Sequence, residues 1–190
     1  TITGINIVNH GTGYTTDPSV TFGSGTATAT SAITVGGIKI KNTDDYLTNF
    51  VGGEGVVGEF AAKYAGALGN SITVSMADSA SYATWDYKSS FDAAPGTSDY
   101  ADRTGATDDE LHVIVIDSNG AWTGTAGAVL EKFAFVSKAS DAKKADGTNN
   151  YYKDSINSRS QYIWWLDHPV DGANWGDVAG TTSFDTIATA

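Results

Sequence analysis

Runs of β-branched and aromatic residues predict the strongest structural feature of this chain, a β-hairpin. The first run is LHVIVI at 111–116 and the second is VLEKFAFV at 129–136. Between them lies Asp-Ser-Asn-Gly at 117–120, and its Asn119-Gly120 pair is favoured in tight turns. Because further residues through Gly127 precede the second run, the connection is either a longer loop or a ladder interrupted by a bulge.

Three other segments have strand patterns. Residues 38–41 (IKIK) and 71–76 (SITVSM) alternate between apolar and polar side chains, which is typical of half-buried strands. Residues 162–166 (YIWWL) are continuously apolar and are followed by His168-Pro169, which predicts a buried strand that stops there.

Two short helices are predicted from capping residues and apolar spacing. Asn42 or Thr43 can cap a helical turn that runs through Phe50 and ends at Gly52-Gly53. Asn149 or Asn150 can cap a second helix, which carries Tyr152 and Ile156 on one face.

Two regions differ in composition from the rest of the chain. Residues 1–37 are rich in Gly, Thr, Ser and Ala, and their short β-branched runs between glycine-rich turns predict a small β module. Residues 77–109 have weak periodicity and predict little regular structure. Strands outnumber helices, so we expect an α+β, mainly β fold: a Gly/Thr-rich β module at 1–37, then a β-sandwich-like domain with a few short helices at 38–190.

Composition excludes several classes of protein. The net charge is −11, and no cluster of basic residues is longer than Lys143-Lys144, which disfavours binding to nucleic acid. No apolar run approaches the roughly 20 residues that span a bilayer, so no membrane insertion is expected. Without cysteine the chain has neither disulfides nor thiolate metal sites. It opens at Thr1 without a signal-peptide pattern, and we expect a fragment or a processed chain.

The stretch YAGALGNSITV at 64–74 could be a phosphate loop or a structural turn. Neither Gly66 nor Gly69 is followed by the Lys of a phosphate-binding GxxxxGK[ST] motif. We therefore predict a turn in which both glycines adopt positive φ and Asn70 supports it, before a strand that places Ile72, Val74 and Met76 in the core. The predicted structural turn residues are therefore Gly66, Gly69 and Asn70 here, and Asn119 and Gly120 in the hairpin.

Candidate catalytic and metal-binding residues lack the spacing that their chemistry needs. His10, His112 and His168 are far apart and fit no zinc motif, so structural histidines are expected. A calcium loop is conceivable near Gly147, but ordinary turn chemistry is favoured because the spacing departs from DxDxDG. The oxygen-bearing residues there are Asp141, Asp146, Asn149, Asn150 and Asp154. No GxSxG motif is present, and we predict no catalytic residue, metal or cofactor.

Tryptophans keep one alternative open. A carbohydrate-binding or glycan-degrading β-module could use them as a sugar platform, with two of the 22 acidic residues for hydrolysis. They are Trp85, Trp122, Trp164, Trp165 and Trp175. Aromatic residues in a β-rich chain are more often part of the core.

Three segments resemble the tail sheath proteins of contractile-tailed bacteriophages. They are IKIKNTDDYLTNFVGG at 38–53, FAAKYAGALGNSITV at 60–74 and, most specifically, the passage at 109–165 that contains GAVLEKFAFVSKASDAKKADGTNNYYKDSIN. Two departures are evident: the family usually carries a large insertion near residues 54–57, and its C-terminal part has no counterpart here.

The resemblance implies a structural virion protein and not an enzyme. Sheath subunits form six-fold rings that stack helically around a tail tube and contract to drive it through the host envelope for genome ejection. The implied partners are other sheath subunits, the tube protein through parts missing from this chain, and the baseplate. The implied location is the virion, after assembly in the host cytoplasm.

Overall fold

The computed structural model describes residues 40–53, 58–180 and 182–187 of the 190-residue chain. The β module predicted at 1–37 therefore lies outside the described residues. The described helices are α1 Thr43–Asn49, α2 Ala67–Asn70, α3 Asp99–Thr104 and α4 Tyr152–Arg159. The described strands are β1 Phe60–Ala62, β2 Ile72–Asp78, β3 Glu110–Asp117, β4 Ala128–Ser137 and β5 Ile163–Trp165. Among these residues no helix has the length and apolar character to cross a bilayer.

An antiparallel sheet with strand order β2-β3-β4 is the centre of the fold. The predicted hairpin is confirmed as β3 and β4, and it has both features that the sequence left as alternatives. Residues 118–127 form a long connection, and the register shifts between Leu111 and Val113 and again between Val115 and Ile116. A second sheet pairs β1 with β5. The expected α+β, mainly β fold is confirmed.

Strand β3 is buried on both faces, because its alternate side chains enter two different clusters. Leu111, Val113 and Val115 belong to the main core, together with side chains of α4 and β5. Ile114 and Ile116 point the other way and pack with Trp85. Half-buried Ile72, Val74 and Met76 of β2 pack on the main core, as predicted.

Helix α1 connects the beginning of the described chain to strand β5. Asn42 caps the helix by accepting from the Asp45 backbone N–H at 2.8 Å, which confirms the predicted N-terminus. Of the strand predicted at 38–41, residues 38 and 39 lie outside the described residues, and residues 40 and 41 are not in a strand. The Lys41 N–H donates to the Asp45 carboxylate instead. Buried Tyr46 donates from its hydroxyl to the Trp165 carbonyl at 2.7 Å and stacks on Trp164.

Two helix predictions were wrong in detail. Residues 77–109 do contain a helix, α3, capped by Ser98 and ended by Gly105 with φ +88°. Helix α4 has Tyr151 at its N-cap, not Asn149 or Asn150. The Asn149 side chain still accepts from the Tyr151 N–H and donates to Asp154, so it orders the approach to the helix from two positions before the N-cap.

Candidate functional site

Gly66 and Gly69 are both constrained, but for different reasons. Gly66 precedes α2 with φ +80°, so the predicted positive φ is confirmed there. At Gly69 that prediction was wrong, because the residue is inside α2 and has no positive φ. A Cβ on Gly69 would lie 2.1 Å from the Tyr64 carbonyl oxygen. Close approach of two backbone segments, and not the dihedral angle, therefore requires this glycine.

The connection between β3 and β4 folds around the carboxylate of Asp117. Its Oδ2 accepts from the Trp122 N–H at 2.9 Å and the Thr123 N–H at 2.8 Å, and its Oδ1 accepts from the Ser71 hydroxyl. Burial acts to raise the pKa of Asp117, but these hydrogen bonds outweigh it and lower the pKa to about 2. One ionised side chain thus orders the loop and joins it to β2.

The predicted turn residues come together at one end of the sheet. Asn119 donates from its side chain to the Asn70 carbonyl at 3.3 Å, and Gly120 has φ +77°. The Trp122 indole donates to the Leu68 carbonyl at 2.9 Å. Two loops that are about fifty residues apart in sequence therefore support each other, which sequence spacing alone did not indicate.

Both described histidines have partners inside the protein. His112 accepts at Nδ1 from the Phe135 N–H at 3.0 Å, so Nε2 is the nitrogen that donates to the Ala93 carbonyl at 2.8 Å. The Tyr152 hydroxyl accepts from the Trp165 indole and shares a hydrogen bond of 2.6 Å with His168 Nδ1. Burial lowers the pKa of both histidines. His10 lies outside the described residues.

Oxygen-bearing side chains near Gly147 are engaged in separate turns. Asp141 accepts from the Tyr100 hydroxyl and the Ala179 N–H, while Asp146 accepts from the backbone and hydroxyl of Thr148. Across residues 40–53, 58–180 and 182–187, no three His, Asp or Glu side chains are grouped as metal ligands would be. Asp146 therefore makes a local turn with Thr148, whereas Asp141 makes long-range contacts with Tyr100 and Ala179.

The tryptophans are used mainly in packing. Trp85, Trp164 and Trp165 are buried. Trp175 is half-buried and stacks on His168, and Trp122 meets the rings of Tyr64 and Tyr162 edge-on. Three of the five rings are therefore removed from solvent, and the two half-buried rings lie against other aromatic side chains.

A buried ion pair holds the opposite end of the sheet. Lys138 Nζ lies 3.1 Å from Asp78 Oδ2, and both side chains are at most 1% exposed. Lys138 also donates to the Asp185 carbonyl at 2.8 Å, and Asp78 accepts from the Ile187 N–H at 2.7 Å. The pair therefore attaches the C-terminal segment to β2 and β4. Sequence reasoning missed it, because no local pattern links residues sixty positions apart.

Comparison with known proteins relates part of the chain to a phage protein. Over 70 residues it is 37% identical to the tail sheath protein of Salmonella phage ViI, a stretch that is 37% of this chain and 9% of that protein. No family model and no solved structure matches the chain. The similarity suggests a tail-sheath relationship for the matched part and leaves most of the relative's length uncovered.

Proposed function

We propose that this chain is part of a subunit of a contractile phage tail sheath. The observation that carries the proposal is the 37% identity to a tail sheath protein over 70 residues. The order of three sheath-like segments along residues 38–165 supports it independently of that comparison. In this role the protein is a structural component of the virion and not an enzyme.

Sheath function requires surfaces that bind in two packing arrangements and needs no active site. Subunits would form six-fold rings, stack helically around the tail tube and attach to the baseplate. Contraction would then be a switch between two interface arrangements, which drives the tube through the host envelope and leads to genome ejection. Assembly in the host cytoplasm and location along the tail follow from the same proposal.

Two internal features suit a domain that is carried through such a switch as a rigid body. Asp117 fixes one end of the β2-β3-β4 sheet, and the Lys138–Asp78 pair fixes the other end. A domain held at both ends can transmit a change in interface geometry without deforming, because packed interiors have low compressibility.

Self-assembly of the complete gene product tests the proposal. Negative-stain electron microscopy is expected to reveal tubes or hexameric rings. The 190-residue chain alone serves as the control, and we expect a monomer by light scattering because the matched stretch corresponds to only 9% of the sheath protein to which it is similar. A complete product that stays monomeric and forms neither rings nor tubes would contradict the proposal.

Charge offers a second test of the assembly. The net charge of −11 makes like surfaces repel, so ring contacts would pair acidic surface with basic patches on neighbours. Ring formation should then change between roughly 50 mM and 500 mM salt, since screening acts over about 10 Å at 0.1 M. Insensitivity to salt would exclude charge pairing as part of the contact.

A carbohydrate-binding module is the competing function. It predicts specific binding to a glycan array with millimolar affinity or better. Such binding, together with a complete product that does not assemble, would replace the sheath proposal.

A further inference from the structure

A cleft on the outer side of β4 concentrates positive charge on an otherwise acidic protein. Its volume is about 360 Å³, and it lies between α3, the loop at 143–145 and the edge strand β4. Arg103, Lys143 and Lys144 line it and are exposed. In the described part of the chain, none of these three cations makes an ion pair within 4.0 Å. Three of the 11 basic residues are therefore placed around one concavity.

Two acidic residues also line the cleft and reduce its charge. Asp99 is exposed, and Glu110 is half-buried with its Oε2 accepting from the Gly96 N–H at 3.0 Å. The lining thus carries three positive and two negative groups, a balance of +1 against −11 for the whole chain.

The wall of the cleft contains an acceptor without a donor. Asn150 is 6% exposed, and its Nδ2 donates to the Phe135 carbonyl at 2.8 Å. Its Oδ1 has no hydrogen-bond partner within the protein. A buried acceptor without a donor destabilises the protein, and a ligand N–H that reached it would restore the missing hydrogen bond.

The strand beside Asn150 has an unusual backbone. Phe135 has φ +52°, a left-handed conformation that non-glycine residues rarely adopt. It belongs to a bulge in which Ala134 and Phe135 together lie opposite His112. Bulges and such strained residues are frequent beside functional sites, and both residues line the cleft.

We propose that this cleft binds an acidic peptide segment of another protein. Carboxylates of the peptide would pair with Arg103, Lys143 and Lys144, and one of its backbone N–H groups would donate a hydrogen bond to Asn150 Oδ1. A peptide supplies both groups, whereas a simple anion lacks the N–H donors and an acidic polysaccharide has no backbone amides to place along an edge strand. The proposal does not depend on the sheath function.

Fluorescence anisotropy with the 190-residue chain tests this binding. The probe is a labelled hexapeptide of alternating Asp and Gly, compared with the same peptide carrying Asn in place of Asp. We expect the Asp peptide to bind and the Asn peptide to bind at least tenfold more weakly. The variant Lys143→Gln/Lys144→Gln should lose about three- to tenfold in affinity, because exposed ion pairs are individually weak. The charge-matched control Lys41→Gln/Lys88→Gln should stay within twofold.

Two further measurements locate the contact. Replacing one amide N–H of the peptide at a time with an ester oxygen should weaken binding about fivefold at one position only. The side-chain amide signals of Asn150 should shift in NMR spectra on titration with the Asp peptide.

Equal loss in the control variant, or no binding at millimolar peptide, would overturn the proposal. Competition by inorganic phosphate as effective as by the Asp peptide would replace it with a site for free anions. Preference for an oligogalacturonate over the peptide would replace it with a polysaccharide site.

Discussion

The two ends of the β2-β3-β4 sheet are stabilised in different ways. We call them the turn end, with Asp117 and the loops at 66–71 and 118–127, and the ion-pair end, with Asp78, Lys138 and residues 183–187. At the turn end one carboxylate accepts hydrogen bonds from neutral donors, which are two backbone N–H groups of the adjoining loop and the hydroxyl of Ser71 in the other loop. At the ion-pair end a carboxylate pairs with a buried cation sixty residues away. Both ends therefore join distant segments, but neutral donors satisfy the carboxylate at one end and a buried cation satisfies it at the other.

The difference matters because the two ends should fail differently. An ion pair with both members buried contributes little net stability over an apolar pair, but removing one member leaves a buried charge alone. A carboxylate that accepts several hydrogen bonds keeps the others when one is removed, so each removal costs only part of its contribution to stability. We therefore expect the largest effect of a single substitution at the ion-pair end.

Lys138→Met gives the largest expected loss of stability. It leaves Asp78 buried without its cation. We therefore expect the free energy of unfolding, measured in urea, to fall by about 3–5 kcal/mol. Exposed Lys144→Met is the matched control, with a change within about 0.5 kcal/mol. A loss below about 1 kcal/mol for Lys138→Met would mean that the pair does not hold this end.

Gly69→Ala should cost about 1–3 kcal/mol at the turn end, because its Cβ would overlap the Tyr64 carbonyl oxygen at 2.1 Å. Thermal unfolding monitored by circular dichroism measures the change. Gly52→Ala is the control, since a Cβ there meets no atom within 4 Å and its φ is not positive. Equal melting temperatures for both variants would refute the close-approach argument.

Asp117→Asn should change the acid dependence of stability. The pKa of Asp117 falls from the usual 3.8 to about 2 on folding, so its contribution is complete above about pH 4 and disappears as pH falls towards 2. The difference in free energy of unfolding between the wild type and the variant, measured in urea, should therefore be larger at pH 6 than at pH 2.5. A constant difference between the two pH values would contradict the role of the ionised carboxylate.

Asn119→Ala should have the smallest effect. Its side chain makes one long hydrogen bond, 3.3 Å, at an exposed site, so we expect less than about 0.5 kcal/mol. The melting temperature should fall by no more than about 2 °C for a domain of this size. A fall in melting temperature as large as that of Gly69→Ala would mean that Asn119, and not Asp117, is the residue that mainly stabilises the turn end.

Local patterns in the sequence predicted the parts of the fold that local chemistry determines. The hairpin, the Asn42 cap and the turn at Gly66 are examples, since each depends on residues within a few positions. The sequence correctly predicted that position 69 requires a glycine. The cause is close approach to Tyr64 across the turn and not the positive φ that was predicted. Helix α3 was missed because its six residues are too short for apolar periodicity to emerge.

Features that join distant segments could not be predicted. Asp78 and Lys138 sit in unremarkable local sequence, and only the sheet register and the return of residues 183–187 bring them together. The basic cleft is similar, because Arg103 belongs to α3 and Lys144 to the loop at 143–145. The resemblance to tail sheath proteins depended on the order of motifs, which is a property of the whole segment and is visible without coordinates.

Immunogold labelling of virions tests the central claim most directly. If the sheath proposal holds, a contractile-tailed phage encodes the chain, and antibodies raised against the 190 residues would be applied to particles of that phage, imaged with extended and with contracted tails. The sheath proposal predicts gold particles along the whole tail in both states, over a shorter and wider tail after contraction. Label confined to the capsid, the fibres or the tail tip would contradict it.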